Sequence, residues 1–182
     1  MLEKLSNWPT PRITKHLLIF SIILWIVVYP FLCFFFEISN YPVWFWESQL
    51  SFNGDIIKSH LKTMNSEEIN LYRIAQSLDY LFMIAYGTFY FAISIILSRK
   101  FDKNSAFKKF GYMVAICGPI AACCDAIENF FIFLMIQDPT GFPNVWAIIH
   151  SYFALVKYIL LFICFSWVII AALVRLKTKN RE

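Results

Sequence analysis

The stretch FGYMVAICGPIAACCDAIENFFIFLMI, residues 110–136, decides how this chain folds. It exceeds the roughly 20 apolar residues needed to cross about 30 Å of hydrocarbon, and Asp125 and Glu128 are its only carboxylates. Three comparable runs flank it: Leu17 to Phe36, about Leu71 to Leu97, and Val145 to Val174. Of the 182 residues, 59% are apolar and 15% charged, against about half and a quarter in a soluble domain. The excess must be buried in lipid. A net charge of +4 with so much apolar side chain excludes a disordered chain. The connecting segments are too short to build a separate enzymatic domain.

The expected fold is all-α: one integral membrane four-helix bundle covering 1–182. Its spans lie at about 17–36, 71–97, 110–136 and 145–174. They are joined by an outer loop over 38–70 and a cytoplasmic loop over 98–109, and a basic cytoplasmic tail over 175–182 follows. Lys4, Arg12 and Lys15 precede a first run that is too long for a signal-peptide core and has no small-residue cleavage site, so it reads as an uncleaved signal anchor. Twelve of the 16 Lys and Arg fall at the N-terminus, in 98–109 (Lys103 among them) or in the tail (Arg181 among them). The positive-inside rule then puts both termini in the cytoplasm. No glycosylation sequon and no lysine retention signal occur, which fits a bacterial cell membrane. The five cysteines all lie within apolar runs and form no C-x-x-C pair, so they read as packing residues, without thiol redox chemistry.

Within the outer loop, Tyr41, Trp44, Phe45 and Trp46 read as an interfacial aromatic belt. Ile56, Ile57, Leu61 and Met64 repeat at helical spacing with Lys58 and Lys62 opposite, which predicts a short amphipathic helix on the membrane surface, read as a lid that shields the helix ends or, alternatively, one that gates a substrate. Asn65 and Glu68 have the spacing of a capping box that starts the second span.

The ionisable residues inside the spans carry the most information. Counted from each cytoplasmic anchor at 1.5 Å per residue, Glu37, Asp79, Asp125, Glu128 and Lys157 all lie roughly 24–33 Å up, so each helix is expected to bring charge to one layer. His150 lies two turns beyond Lys157 on the same face. Tyr72, Gln76, Asp79, Met83, Tyr86 and Tyr90 form one stripe of the second span. Gly111, Ala115, Gly118, Ala122 and Ala126 make a small-residue ridge bordered by Asp125 and Asn129, which marks the third span as central and suits a homodimer as well as packing within the chain. Charge at this depth is costly unless paired or hydrated, and the four carboxylates outnumber Lys157.

Two readings of that layer stand. In the first, Asp125, Asn129 and Lys157 staple helices together while Glu37 and Asp79 mark the water boundary. In the second, the layer is a pocket in which Asp79, Tyr86, Asp125, Glu128, Asn129 and Lys157 bind a lipid-like or cationic ligand in a small subunit or sensor. A catalytic version assigns acid–base work to Asp125 or Glu128, charge stabilisation to Lys157, and a proton relay or metal contact to His150. Conduction has the least support, because no ionisable chain continues toward the cytoplasmic half. No motif calls for a cofactor, a metal or a nucleic acid, and the expected partners are membrane lipids, a small amphipathic ligand, a membrane partner or a second copy.

Tyr72, Asp79 and Tyr86, then Asp125-Ala-Ile-Glu128-Asn129, then Lys157, resemble the pattern of small four-span bacterial membrane proteins with an Asp-x-x-Glu-Asn motif in the third helix. The resemblance implies the four-span fold and a bacterial setting, and lends no chemistry. The Asp-x-x-Glu spacing also resembles that of carboxylate-bridged metal bundles, whose second histidine has no counterpart here.

Overall fold

Residue patterning and capping set the helices of the computed structural model, which describes residues 2–102 and 105–179. Seven helices occur among them: α1 (Leu2–Asn7), α2 (Pro11–Ile38), α3 (Phe45–Gln49), α4 (Gly54–Lys62), α5 (Ser66–Ser98), α6 (Ala106–Met135) and α7 (Asn144–Lys179). No strand is present among the described residues. Helices α2, α5, α6 and α7 are each long and apolar enough to cross a membrane, and the chain is a multi-pass membrane protein. Lys103 and Arg181, counted above among the orientation charges, lie outside the described residues.

The starts of the long helices follow local chemistry. The Thr10 hydroxyl accepts from the Ile13 amide at 3.3 Å and Pro11 occupies the first turn of α2, where its missing N–H costs nothing. Asn65 Oδ1 accepts from the Glu67 and Glu68 amides at 2.9 and 3.0 Å while Glu68 Oε2 accepts from the Asn65 amide at 2.8 Å, so the expected capping box forms. Asn40 at the end of α2 also donates to Glu68 Oε1 at 2.8 Å and joins the first two spans at this end.

Helix α2 packs along α5, α5 on α6, and α6 on α7, with a lesser α5–α7 contact; α2 and α7 make no extensive contact. The central position is therefore shared by α5 and α6, whereas α2 and α7 turn most of their surface outward. The small-residue ridge of α6 is consumed within the chain. A Cβ on Gly118 would stand 2.8 Å from Tyr90 Cβ and 3.0 Å from the Gly87 carbonyl, the mark of backbones in close approach.

Both ends of the bundle are closed by short segments. At the end holding the termini, Arg99 donates to the Leu5 carbonyl at 3.0 Å, to the Pro9 carbonyl and to Thr14 Oγ1 at 3.2 Å, clamping the α1–α2 junction beneath α5. At the other end, α4 forms at the position of the expected amphipathic helix, but its apolar face is covered largely by protein rather than lipid, with Ile56 alone of the four expected apolar residues left exposed. Ile57, Leu61 and Met64 are buried against Tyr72, Ile132, Met135 and Phe142, because the ends of α5 and α6 offer an apolar platform at that height. Phe52, just before α4, adopts a left-handed backbone (φ 51°), and its amide is held by Ser151 Oγ of α7 at 3.1 Å. The 38–70 connection is thus a lid fastened to three of the four spans.

Candidate functional site

Helix periodicity delivers the polar groups to one level. On α6, Asp125, Glu128 and Asn129 share the face turned to α5 and α7. On α7, His150 and Lys157 are two turns apart on one face, and on α5 Gln76, Asp79 and Tyr86 share another. All of these except Asp79 are at most 5% exposed, and Asp79 is half-buried.

Lys157 Nζ is the hub. It sits 2.9 Å from Asp125 Oδ1 and 2.6 Å from Glu128 Oε2. The other Asp125 oxygen accepts from the Tyr86 hydroxyl at 2.8 Å. Glu128 Oε1 lies 3.7 Å from His150 Nε2. Asp79 stands apart from this chain of contacts: it accepts one hydrogen bond, 2.8 Å from Asn129 Nδ2, and no cation lies within ion-pair distance of it among the described residues. Two carboxylates of α6 therefore share one ammonium, and the third carboxylate, Asp79, has none among the described residues.

Most of the residues singled out from sequence come together here, but two pairings differ from expectation. Asn129, grouped above with Asp125 and Lys157, serves Asp79 instead. Glu37 does not join the layer: it is exposed and makes no ion pair among the described residues, so α2 brings no charge to it. Glu37 lies one residue before α2 ends at Ile38, where its side chain is exposed rather than packed in the bundle. His150 is 2% exposed, embedded in protein rather than at a water boundary.

What α2 does contribute is aromatic wall. A cavity of about 300 Å³, at the lower end of the range for small-molecule sites, lies between α2 and α7 above the α5 surface. From α2 it is lined by Trp25, Tyr29, Leu32 and Phe36. Helix α5 supplies Gln76, Asp79, Phe82, Tyr86 and Tyr90, while Asp125, Lys157, Tyr158 and Leu161 complete it. Trp25 meets Phe82 edge-on at 5.0 Å and Phe82 meets Tyr86 at 5.6 Å, so the rings form a continuous surface. Phe45 and Gln49 of α3 form the roof, with Gln49 hydrogen-bonded to the Tyr158 hydroxyl. The first span announces this wall only weakly: Trp25, Tyr29, Leu32 and Phe36 recur at helical spacing, a stripe easily missed in a helix apolar on every side.

A second chamber of about 20 Å³, room for about one water molecule, lies under the lid between Ser48, Gln76 and His150. Gln76 lines both spaces, and its Oε1 is buried without a hydrogen-bond partner, as are His150 Nδ1 and Asn129 Oδ1. Among the described residues, no group of three or more His, Cys, Asp or Glu is arranged to hold a metal ion.

The lid has polar chemistry of its own that the sequence did not reveal. Tyr41 donates to Ser48 Oγ at 2.7 Å, Ser48 Oγ lies 2.7 Å from His60 Nδ1, and the Tyr41 ring stacks on Tyr72 at 4.8 Å. Burial pushes the Tyr41 hydroxyl up to about 12, so it stays a donor. Burial also lowers His60 from its ordinary 6.5, with Glu47 opposing. A depressed histidine favours the fold while neutral, so its contribution is present above 6.5 and is lost as pH falls through the lowered value. Hydrogen exchange in α3 and α4 should therefore accelerate on acidification below that range, and His60→Gln should flatten the dependence. An unchanged profile in that variant would show that His60 does not govern the lid.

No protein-family model matches this chain, and neither the curated proteins nor the solved structures contain a match to it.

Proposed function

We propose that this protein binds a lipid-like amphiphile that enters sideways between α2 and α7, with its polar head at the Asp79–Asp125–Lys157 layer and its chain along the aromatic wall. The observation that carries this reading is the cavity itself: charged groups occupy its floor, rings line its walls, and the two flanking helices make no extensive contact. The distribution of basic residues favours a cell membrane in which both termini face the cytoplasm, so the lidded end and the cavity belong to the outer leaflet. A bacterial inner membrane fits the absent sequon and the resemblance noted above.

The catalytic alternative draws less support. Glu128 and His150 line no part of the larger cavity, and both Asp125 oxygens are already engaged by Lys157 and Tyr86. A bound molecule would meet Asp79 and the rings before any free acid–base pair. Binding, as in a sensor or a subunit that carries its ligand, uses more of the geometry.

Photolabelling provides the test. A single-chain amphiphile bearing a diazirine in its tail should label peptides of α2 and α7 that line the cavity. Filling the space with Leu161→Trp or Cys33→Trp should remove most of that labelling while leaving the fold intact, because both positions face the cavity. Labelling that is spread evenly over the lipid-facing surface and unchanged by either variant would contradict the proposal.

A further inference from the structure

We infer that the head group this site takes is a protonated primary amine, a conclusion that rests on the pocket reading above and sharpens it. Lys157 is already charge-compensated: its ammonium contacts Asp125 at 2.9 Å and Glu128 at 2.6 Å, and these two carboxylates offset the attraction it would exert on an anionic head. Asp79 is the reverse case, a carboxylate in the cavity wall whose one hydrogen bond among the described residues comes from Asn129. One turn away on the same face of α5, Gln76 is 2% exposed, and its Oε1 lacks any hydrogen-bond partner. The cavity thus holds two neighbouring acceptors, Asp79 and Gln76 Oε1, that its own donors leave under-satisfied among the described residues, and an unsatisfied buried acceptor is costly until a donor reaches it.

A primary ammonium answers that pattern. It has three N–H groups, enough for Asp79 and Gln76 together, and its charge offsets the surplus of carboxylates in the layer. Trp25, Tyr29 and Phe82 add ring faces, which attract a cation in a dry site. A quaternary ammonium has the charge but no N–H, and a neutral alcohol has a single donor and no charge, so both satisfy less of the site. An anionic head would be placed against Asp79 and Asp125. The gap between α2 and α7 gives the alkyl tail its route into lipid.

Four amphiphiles sharing a twelve-carbon chain separate these cases: dodecylamine, dodecyltrimethylammonium, dodecanol and dodecanoate, each titrated into the purified full chain in neutral detergent near pH 7. Dodecylamine should bind at least about tenfold more tightly than dodecanol and should raise Tm the most. In Asp79→Asn, which keeps a partner for Asn129, that preference should shrink to about twofold while dodecanol binding persists. Gln76→Met, a second variant that leaves every charge in place, should lower amine affinity and not alcohol affinity. Equal binding of amine and alcohol to the wild-type chain would overturn the head-group inference and leave the pocket standing. Preference for dodecanoate would overturn it in favour of contact with Lys157. Binding of none of the four would overturn the inference and the pocket together.

Discussion

Lys157→Met should cost the protein on the order of 3–5 kcal/mol, the largest single loss expected from any change in the layer. The ammonium is 5% exposed and contacts two carboxylates from α6, so removing it leaves Asp125 and Glu128 facing each other in a low-dielectric interior without a counter-charge. For a chain of this size, that loss corresponds to a fall in Tm on the order of 10 °C. Neutralising the acids along with the lysine, as Asp125→Asn, Glu128→Gln and Lys157→Met combined, should restore most of the loss, because the network is then removed as a unit. The side-chain amide oxygen that Asp125→Asn retains would still accept from the Tyr86 hydroxyl. Thermal unfolding in one detergent would compare the variants. A single variant as stable as the parent would show that Lys157 is not buried among these carboxylates.

Gly118→Leu should damage stability and binding together. A Cβ alone would meet Tyr90 Cβ at 2.8 Å, the Gly87 carbonyl at 3.0 Å and the Phe91 amide nitrogen at 3.3 Å; two of those are backbone atoms that cannot turn aside. The α5–α6 seam must open to admit the new side chain, at a cost of about 1–3 kcal/mol or more. That seam also fixes the site, since Tyr86 reaches Asp125 and Asn129 reaches Asp79 across it. Amphiphile-induced stabilisation should therefore weaken in Gly118→Leu, and Gly118→Ala should show a smaller version of both effects. A Gly118→Leu protein with wild-type Tm would mean that the two helices do not approach closely there.

Much of this arrangement is legible in the sequence, and the parts that are not have physical reasons. Counting residues from basic anchors gives height, and height correctly brings Asp125, Glu128 and Lys157 to one level. Periodicity gives the direction of a side chain on its own helix but not the neighbour it meets. Asn129 therefore groups with Asp125 by pattern, although it faces Asp79. Glu37 has the expected count from its anchor, but its side chain is exposed and makes no ion pair among the described residues. The first span, apolar on all sides, has no polar face to orient it, so neither its extensive packing on α5 nor its lack of extensive contact with α7 is written in its pattern. The Tyr41–Ser48–His60 contacts depend on how a loop folds back on itself, which no short-range pattern encodes.

Ligand binding of this kind requires an amphiphile-sized space whose floor is the charged layer and whose side opens between α2 and α7. An experimental density map of the protein in lipid nanodiscs, at a resolution that shows side chains, tests this most directly. We expect elongated density along Trp25, Phe82 and Leu161, its polar end within hydrogen-bonding distance of Asp79 and its tail leaving between the two helices. Helix α2 closed against α7 with side chains filling the space, or Lys157 turned toward the acyl chains, would contradict it.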